Sequence, residues 1–295
     1  MAVHDHARRS DARIILAETN FSPLTARDGT NLVVLDWPLK KAPVRGVVLI
    51  VHGLGEHAWR YDHVANRLND WGFAVRAYDQ YGHGESMGQR GALPAEDRLL
   101  QDLAEVVDES RARMHDATPL IVLGHSMGGL VAARFVALQM RRIEALVLSS
   151  PALDPGLNGF QKLLLAVLPK IAPDLRVGNG LDVRYLSHDP AVVARYKADP
   201  LVHDRISARL ARFIADNGPA VVAEAPHWQL PTLLMYAGSD KLVNPAGSRM
   251  FAARAPGNVV TSRCFEPLYH EIFNEAAPDA EQVFSQLRSW LDTRF

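Results

Sequence analysis

Short runs of Val, Ile and Leu recur along the chain and alternate with stretches of helical period. This rhythm constrains the fold more than any other feature. NLVVLDW (31–37), GVVLIVH (46–52), FAVRAYD (73–79), PLIVLGH (119–125), EALVLSS (144–150), TLLMYAG (232–238) and NVVTSRCF (258–265) each read as a strand. Several are continuous apolar runs, the mark of strands covered on both faces. Between them, Tyr61, Val64, Ala65 and Leu68 share one helical face, as do Leu99, Leu103, Val106 and Val107, and later Val283, Leu287 and Trp290. The alternation predicts an α/β fold with a mostly parallel central sheet flanked by helices, and argues against a bundle or a sandwich.

The rhythm stops between residues 151 and 228. There the chain is helical and broken by prolines: PGLNGFQKLLLAVLPKIAP, then HDPAVVARYKADP, then a further helix near 208–217. Strands resume after Pro231. The span reads as a helical cap inserted over the strand ends, where ligand sites of such sheets lie. The expected organisation is a frayed tail (1–13), a first core part (14–150), the cap (151–228) and a second core part (229–295), all within the range of one large domain with an insertion.

Composition removes several classes. Lys+Arg of 32 against Asp+Glu of 33 gives a net charge of -1, without the basic excess on which nucleic-acid affinity depends. Cys264 is the only cysteine, so neither an internal disulfide nor a cysteine-based zinc site can form. The start of the chain has no apolar run fit for a secretory signal, and no stretch reaches the length of a membrane span. The expectation is a cytoplasmic protein, with peripheral membrane contact left open.

Gly124-His125-Ser126-Met127-Gly128 fits G-x-S-x-G between the strand PLIVLGH and the helix GLVAARFVALQ. A serine hydroxyl is a weak nucleophile and must project from a sharp strand-to-helix turn within reach of a base. The flanking glycines are expected to let the backbone make that turn. The pattern alone is weak; its strand–turn–helix setting gives it weight. A base and an orienting carboxylate should follow in the order acid, then histidine, on loops after late strands. Asp240 follows TLLMYAG and His270 follows NVVTSRCF. Glu271 adjoins His270, but an adjacent side chain is poorly placed to orient its neighbour's ring. His52-Gly53-Leu54-Gly55-Glu56-His57 ends an earlier strand, and its glycines let amides approach a substrate oxygen. Leu54 N–H pairs with Met127 N–H as the expected oxyanion hole. HGLGEH lacks the H-E-x-x-H spacing of a zinc helix, and DQYGHGES (79–86) lacks the spacing of a nucleotide-binding loop. His52 and His125 read as structural histidines, and Cys264 as a small core residue. No cofactor or metal is called for.

Together HGLGEHAWRYDHVANRL, DQYGHGES, GHSMGG, AGSDKLV and YHEIFNE resemble the monoacylglycerol lipase/lysophospholipase branch of the α/β-hydrolases, over nearly all of 17–295. The resemblance implies Ser126 as nucleophile, Asp240 and His270 as its partners, and the Leu54 and Met127 amides as oxyanion hole. It also implies that Glu56, Arg60 and Tyr61 border the head-group end of the pocket. The expected activity is hydrolysis of a monoacylglycerol or similar lipid ester through an acyl-enzyme. Other esterases, lactonases and an acyltransferase share these motifs.

In the cap, Leu157, Phe160, Leu163, Leu164, Leu165, Val167, Leu168 and Ile171 make a segment apolar almost all round, charged only at Lys162 and Lys170. Such a segment suits a lid that lines the acyl pocket, Leu164 included, or meets a membrane or micelle surface. Leu164 or Leu165 is the expected outward leucine. The oligomeric state has no signature in the sequence.

Overall fold

Burial on both faces follows from the strand residues themselves. In the computed structural model, which describes residues 20–39, 43–154, 156 and 159–295, Val48 and Ile50 join one apolar cluster while Leu49 and Val51 join another. Ile121 and Leu123 separate from Leu120 and Val122 in the same way. Alternate side chains thus leave opposite faces of one sheet, and each face is covered by helices. The strands are β1 (Asn20–Thr25), β2 (Asn31–Trp37), β3 (Gly46–Val51), β4 (Phe73–Tyr78), β5 (Leu120–His125), β6 (Ala145–Ser149), β9 (Thr232–Ala237) and β10 (Val260–Phe265), with β7 (Arg176–Gly178) and β8 (Arg205–Ser207) lying apart. Their order across the eight-stranded sheet is β1-β2-β4-β3-β5-β6-β9-β10. The β1–β2 and β2–β4 pairs are antiparallel and the remaining neighbours are parallel.

Helices α1 (Asp62–Asp70) and α8 (Asp279–Asp292) cover one face through Val64, Leu68, Val283 and Leu287. Helices α2 (Arg98–Arg113), α3 (Ser126–Ala137) and α7 (Ala246–Arg254) cover the other. The chain steps from β3 outward to β4 on one side and returns to β5 on the other, so the carboxyl ends of β3 and β5 flank a topological switch point.

Between β6 and β9 the chain leaves the sheet. It forms α4 (Gly159–Ile171), α5 (Pro190–Ala198) and α6 (Ala208–Glu224). It also forms an antiparallel ribbon of β7 (Arg176–Gly178) and β8 (Arg205–Ser207), which the all-helical expectation lacks. Backbone bonds tie this span to the core: His203 N–H donates to Gly55 O at 2.9 Å and Ser207 N–H to Gly91 O at 2.8 Å. The expected tail, Leu157, and the side chains of Phe160, Lys162, Leu163 and Leu164 lie outside the described residues.

Candidate active site

Strand β5 ends at His125 and α3 begins at Ser126 with no loop between them. Ser126 has φ 53°, in the left-handed region that costs a residue with a Cβ. The flanking glycines let the backbone make that turn by close approach and not by positive φ. Neither Gly124 nor Gly128 has positive φ, but a Cβ on Gly128 would lie 2.2 Å from Val51 O, and one on Gly124 2.6 Å from Gly128 O. They allow the first turn of α3 to press against the ends of β3 and β5, while the serine itself carries the turn.

Asp240 follows β9 and is buried. Its Oδ1 accepts the amides of Leu242 and Val243 at 2.8 and 2.9 Å, which leaves Oδ2 to face His270 Nδ1 at 2.6 Å. Burial opposes the charge on Asp240, but His270 and these amides outweigh it and hold the carboxyl below its ordinary range. Burial likewise opposes an imidazolium at His270. The charge and hydrogen bond of Asp240, then Glu271 and Glu56, outweigh it and raise the ring above its usual value. With Nδ1–H donated to Asp240, the neutral ring presents Nε2 as its basic nitrogen. The loop bearing His270 is held from the cap side, where Glu271 N–H donates to Leu186 O at 2.8 Å.

Ser126, His270, Leu54 and Met127 line one cavity of about 610 Å³, within the range of small-molecule sites. The Leu54 and Met127 amides have no protein acceptor among the described residues. Away from these groups the wall includes Leu165, Leu168, Leu175, Val177, Ile206 and Ile214 from the cap. Leu165 therefore faces inward. Among the described side chains of α4, Val167 and Ile171 point outward, 47% and 73% exposed. A segment apolar all round carries no periodic cue to separate the two faces. Leu164 lies outside the described side chains.

His52 and His125, read as structural histidines, are both buried and hydrogen-bonded. Gln80 N–H donates to His52 Nε2 at 2.9 Å, so His52 Nδ1–H donates to Gly53 O at 2.8 Å, and both ring nitrogens are used. His125 pairs with Ser149 Oγ, and burial, then His270, push it down to about 4. Asp79, in the DQYGHGES loop, accepts the amides of Ala58 and Glu85, a brace between loops. Cys264 is half-buried on β10 beside Glu266, and burial raises its thiol pKa.

Glu56, Arg60 and Tyr61, expected to border the head-group end of the pocket, form a hydrogen-bonded cluster of their own. None lines the cavity. Arg60 turns inward to Glu271 and Glu56, and Tyr61 OH donates to Glu56. Sequence spacing could not supply this pairing, because Arg60 and Glu271 stand 211 positions apart.

Sheet order, inserted cap and a serine at the β5–α3 elbow define an α/β-hydrolase. The family model described as "Serine aminopeptidase, S33" (Hydrolase_4) matches residues 42–277, and the chain belongs to that family. It is 38% identical over 273 residues to a monoacylglycerol lipase of Mycolicibacterium smegmatis, covering 89% of this chain and 93% of that one. It is 33% identical to the phospholipase YtpA of Bacillus subtilis, covering 87% and 98%. The crystal structure of a monoacylglycerol lipase from Paleococcus ferrophilus superposes with a TM-score of 0.80 at 35% identity, covering 89% and 98%. The protein is a serine ester hydrolase. Among the described residues no helix is long and apolar enough to cross a membrane.

Proposed function

We propose that this protein hydrolyses monoacylglycerols to fatty acid and glycerol through an acyl-enzyme on Ser126. One observation carries the reading: Ser126 and His270, the latter bonded to Asp240, open onto a single cavity whose cap side is largely aliphatic. An acyl chain fits the aliphatic part, and its ester carbonyl then lies at the polar end. The names of relatives at 38% and 35% identity support the same substrate class.

Ser126 Oγ attacks the ester carbonyl while His270 Nε2 takes its proton. Asp240 holds the ring and stabilises the imidazolium. The Leu54 and Met127 amides receive the oxyanion, assisted by the N-terminus of α3. His270 then gives the proton to the departing glycerol oxygen as the C–O bond breaks. Water, deprotonated by His270, attacks the acyl-serine, and the proton returns to Ser126 as the fatty acid leaves. The exposed Val167, Ile171, Leu175 and Val177 form the surface by which the cap meets a membrane or micelle and so places the enzyme at its periphery.

A second reading, a single-chain lysophospholipid as substrate, is favoured by the 33% identity to a phospholipase. A turnover panel of mono-, di- and triacylglycerols, lysophosphatidylcholine and p-nitrophenyl esters of graded length decides between them. Highest kcat/KM on monoacylglycerol is expected. Preference for lysophosphatidylcholine selects the second reading, and preference for acetyl esters over every lipid overturns both.

A further inference from the structure

We propose that Glu56 is a positioning residue: its buried carboxylate clamps the oxyanion loop and, through Arg60 and Glu271, locks that loop to the segment carrying His270. This rests on the proposed acyl-enzyme chemistry and adds to it a residue that touches neither substrate nor base.

Glu56 and Glu271 are only 3% and 4% exposed. Oε1 of Glu56 accepts the Gly53 amide at 2.6 Å and the Tyr61 hydroxyl at 2.7 Å, while Oε2 accepts Arg60 Nη1 at 2.5 Å. Arg60 then reaches across to Glu271 with both terminal nitrogens, each bond 2.7 Å long. Glu271 Oε2 also accepts Asn274 Nδ2 at 2.8 Å, and the Tyr196 ring of α5 covers the guanidinium at 4.7 Å. The paired fork is the geometry in which arginine holds a carboxylate most specifically.

Two consequences follow for the oxyanion hole. The Gly53 amide is consumed by Glu56, so the next amide, Leu54, is the one left free at the cavity wall. The clamp also holds the loop hard against the nucleophile. A Cβ on Gly53 would lie 2.8 Å from Glu56 Oε1 and 3.2 Å from Ser126 Cβ. At its other end the chain of bonds reaches Glu271, the residue after His270. The donor loop and the base loop, far apart in sequence, are thereby fixed in one frame.

Stability alone is a poor reason for such a cluster. Two carboxylates and one guanidinium have been taken out of water, and apolar groups of equal volume often stabilise a core as well or better. Burial opposes the charge on Glu56, but Arg60, then His125, His52 and the Tyr61 hydroxyl, outweigh it and hold the carboxyl down to about 2. A permanently charged, short-range acceptor suits a clamp.

The test compares Glu56→Gln, which keeps an acceptor for Gly53 but loses the charge, with Glu56→Ala, which loses both. Substrates are a monoacylglycerol and the methyl ester of the same acid. Misplacing one oxyanion donor costs about 10²-fold in kcat, so Glu56→Ala should fall by about that factor and Glu56→Gln by about tenfold. KM should stay within about threefold, and the loss should be equal on both esters. Affinity for an alkyl boronic acid, which forms a tetrahedral adduct with the serine, should weaken in parallel with kcat. Should Glu56→Ala fail to fold, the near-isosteric Glu56→Gln carries the same comparison. A raised KM on the glycerol ester alone would return Glu56 to a head-group contact, and unchanged kcat in a folded Glu56→Gln would remove the clamp. Ser126→Ala separates the two claims. If it still turns over ester, the acyl-enzyme reading fails; if it is inert while Glu56→Gln is fully active, only the clamp fails.

Discussion

A charge on the outer ridge of α4 should separate lipid-surface binding from chemistry. Val167 and Ile171 stand one helical turn apart on the same face, 47% and 73% exposed, and neither lines the cavity. Complete burial of an isoleucine side chain is worth about 1.5–3 kcal/mol. With roughly three quarters of Ile171 still open to water, its insertion into an acyl boundary should contribute about 1–2 kcal/mol. Ile171→Glu forfeits that and adds the cost of bringing a carboxylate to the boundary. At about 1.4 kcal/mol per decade, partitioning should fall about 10- to 30-fold, and the double variant with Val167→Glu should fall further. The assay pairs cosedimentation with phosphatidylcholine vesicles and turnover of two substrates, vesicle-borne monoacylglycerol and a soluble short-chain p-nitrophenyl ester. Binding and vesicle turnover should drop together while the soluble ester is hydrolysed as before. Equal losses on both substrates, or no loss on either, would refute the surface-contact reasoning.

The pH profile should follow His270. Its folded pKa is raised, so the neutral base is lost as pH falls through a point above the reference value of about 6.5, and kcat/KM should decline on the acid side from there. Asp240→Asn removes the main charge that raises this ring, so the inflection should move to lower pH and turnover should drop by about 10³- to 10⁴-fold. An unmoved inflection in a folded Asp240→Asn would mean that the profile belongs to another group.

The parallel part of the sheet was legible because buried parallel strands must be apolar on both faces, which leaves continuous Val/Ile/Leu runs such as GVVLIVH and PLIVLGH. Strand β1 escaped this signal. NFSPLT holds a proline and polar residues, as an antiparallel edge strand can. The ribbon strands RVG and RIS are too short to show a period. At the site, Ser126, Asp240 and His270 could be nominated because each stands just after a strand, and the sheet brings the ends of strands together. What spacing conveyed poorly was the purpose of local chemistry. The glycines around Ser126 serve the turn through close backbone approach, while the left-handed φ falls on the serine itself. Glu271, considered as an orienter of its neighbour, instead anchors Arg60, and no local pattern links residues so far apart. The inward face of α4 was invisible for a simpler reason: nearly every position is apolar, so only the fold distinguishes Leu165 in the cavity wall from Ile171 in water.

The central claim is that a single serine, Ser126, becomes covalently acylated. The direct measurement is peptide mass spectrometry after reaction with an alkyl fluorophosphonate, repeated on Ser126→Ala with ester turnover measured alongside. One adduct on the peptide containing Gly124-His125-Ser126-Met127-Gly128 is expected, with labelling abolished in the alanine variant and turnover reduced by several powers of ten. Turnover that survives Ser126→Ala, or a stoichiometric adduct on another residue such as Cys264, would contradict the account.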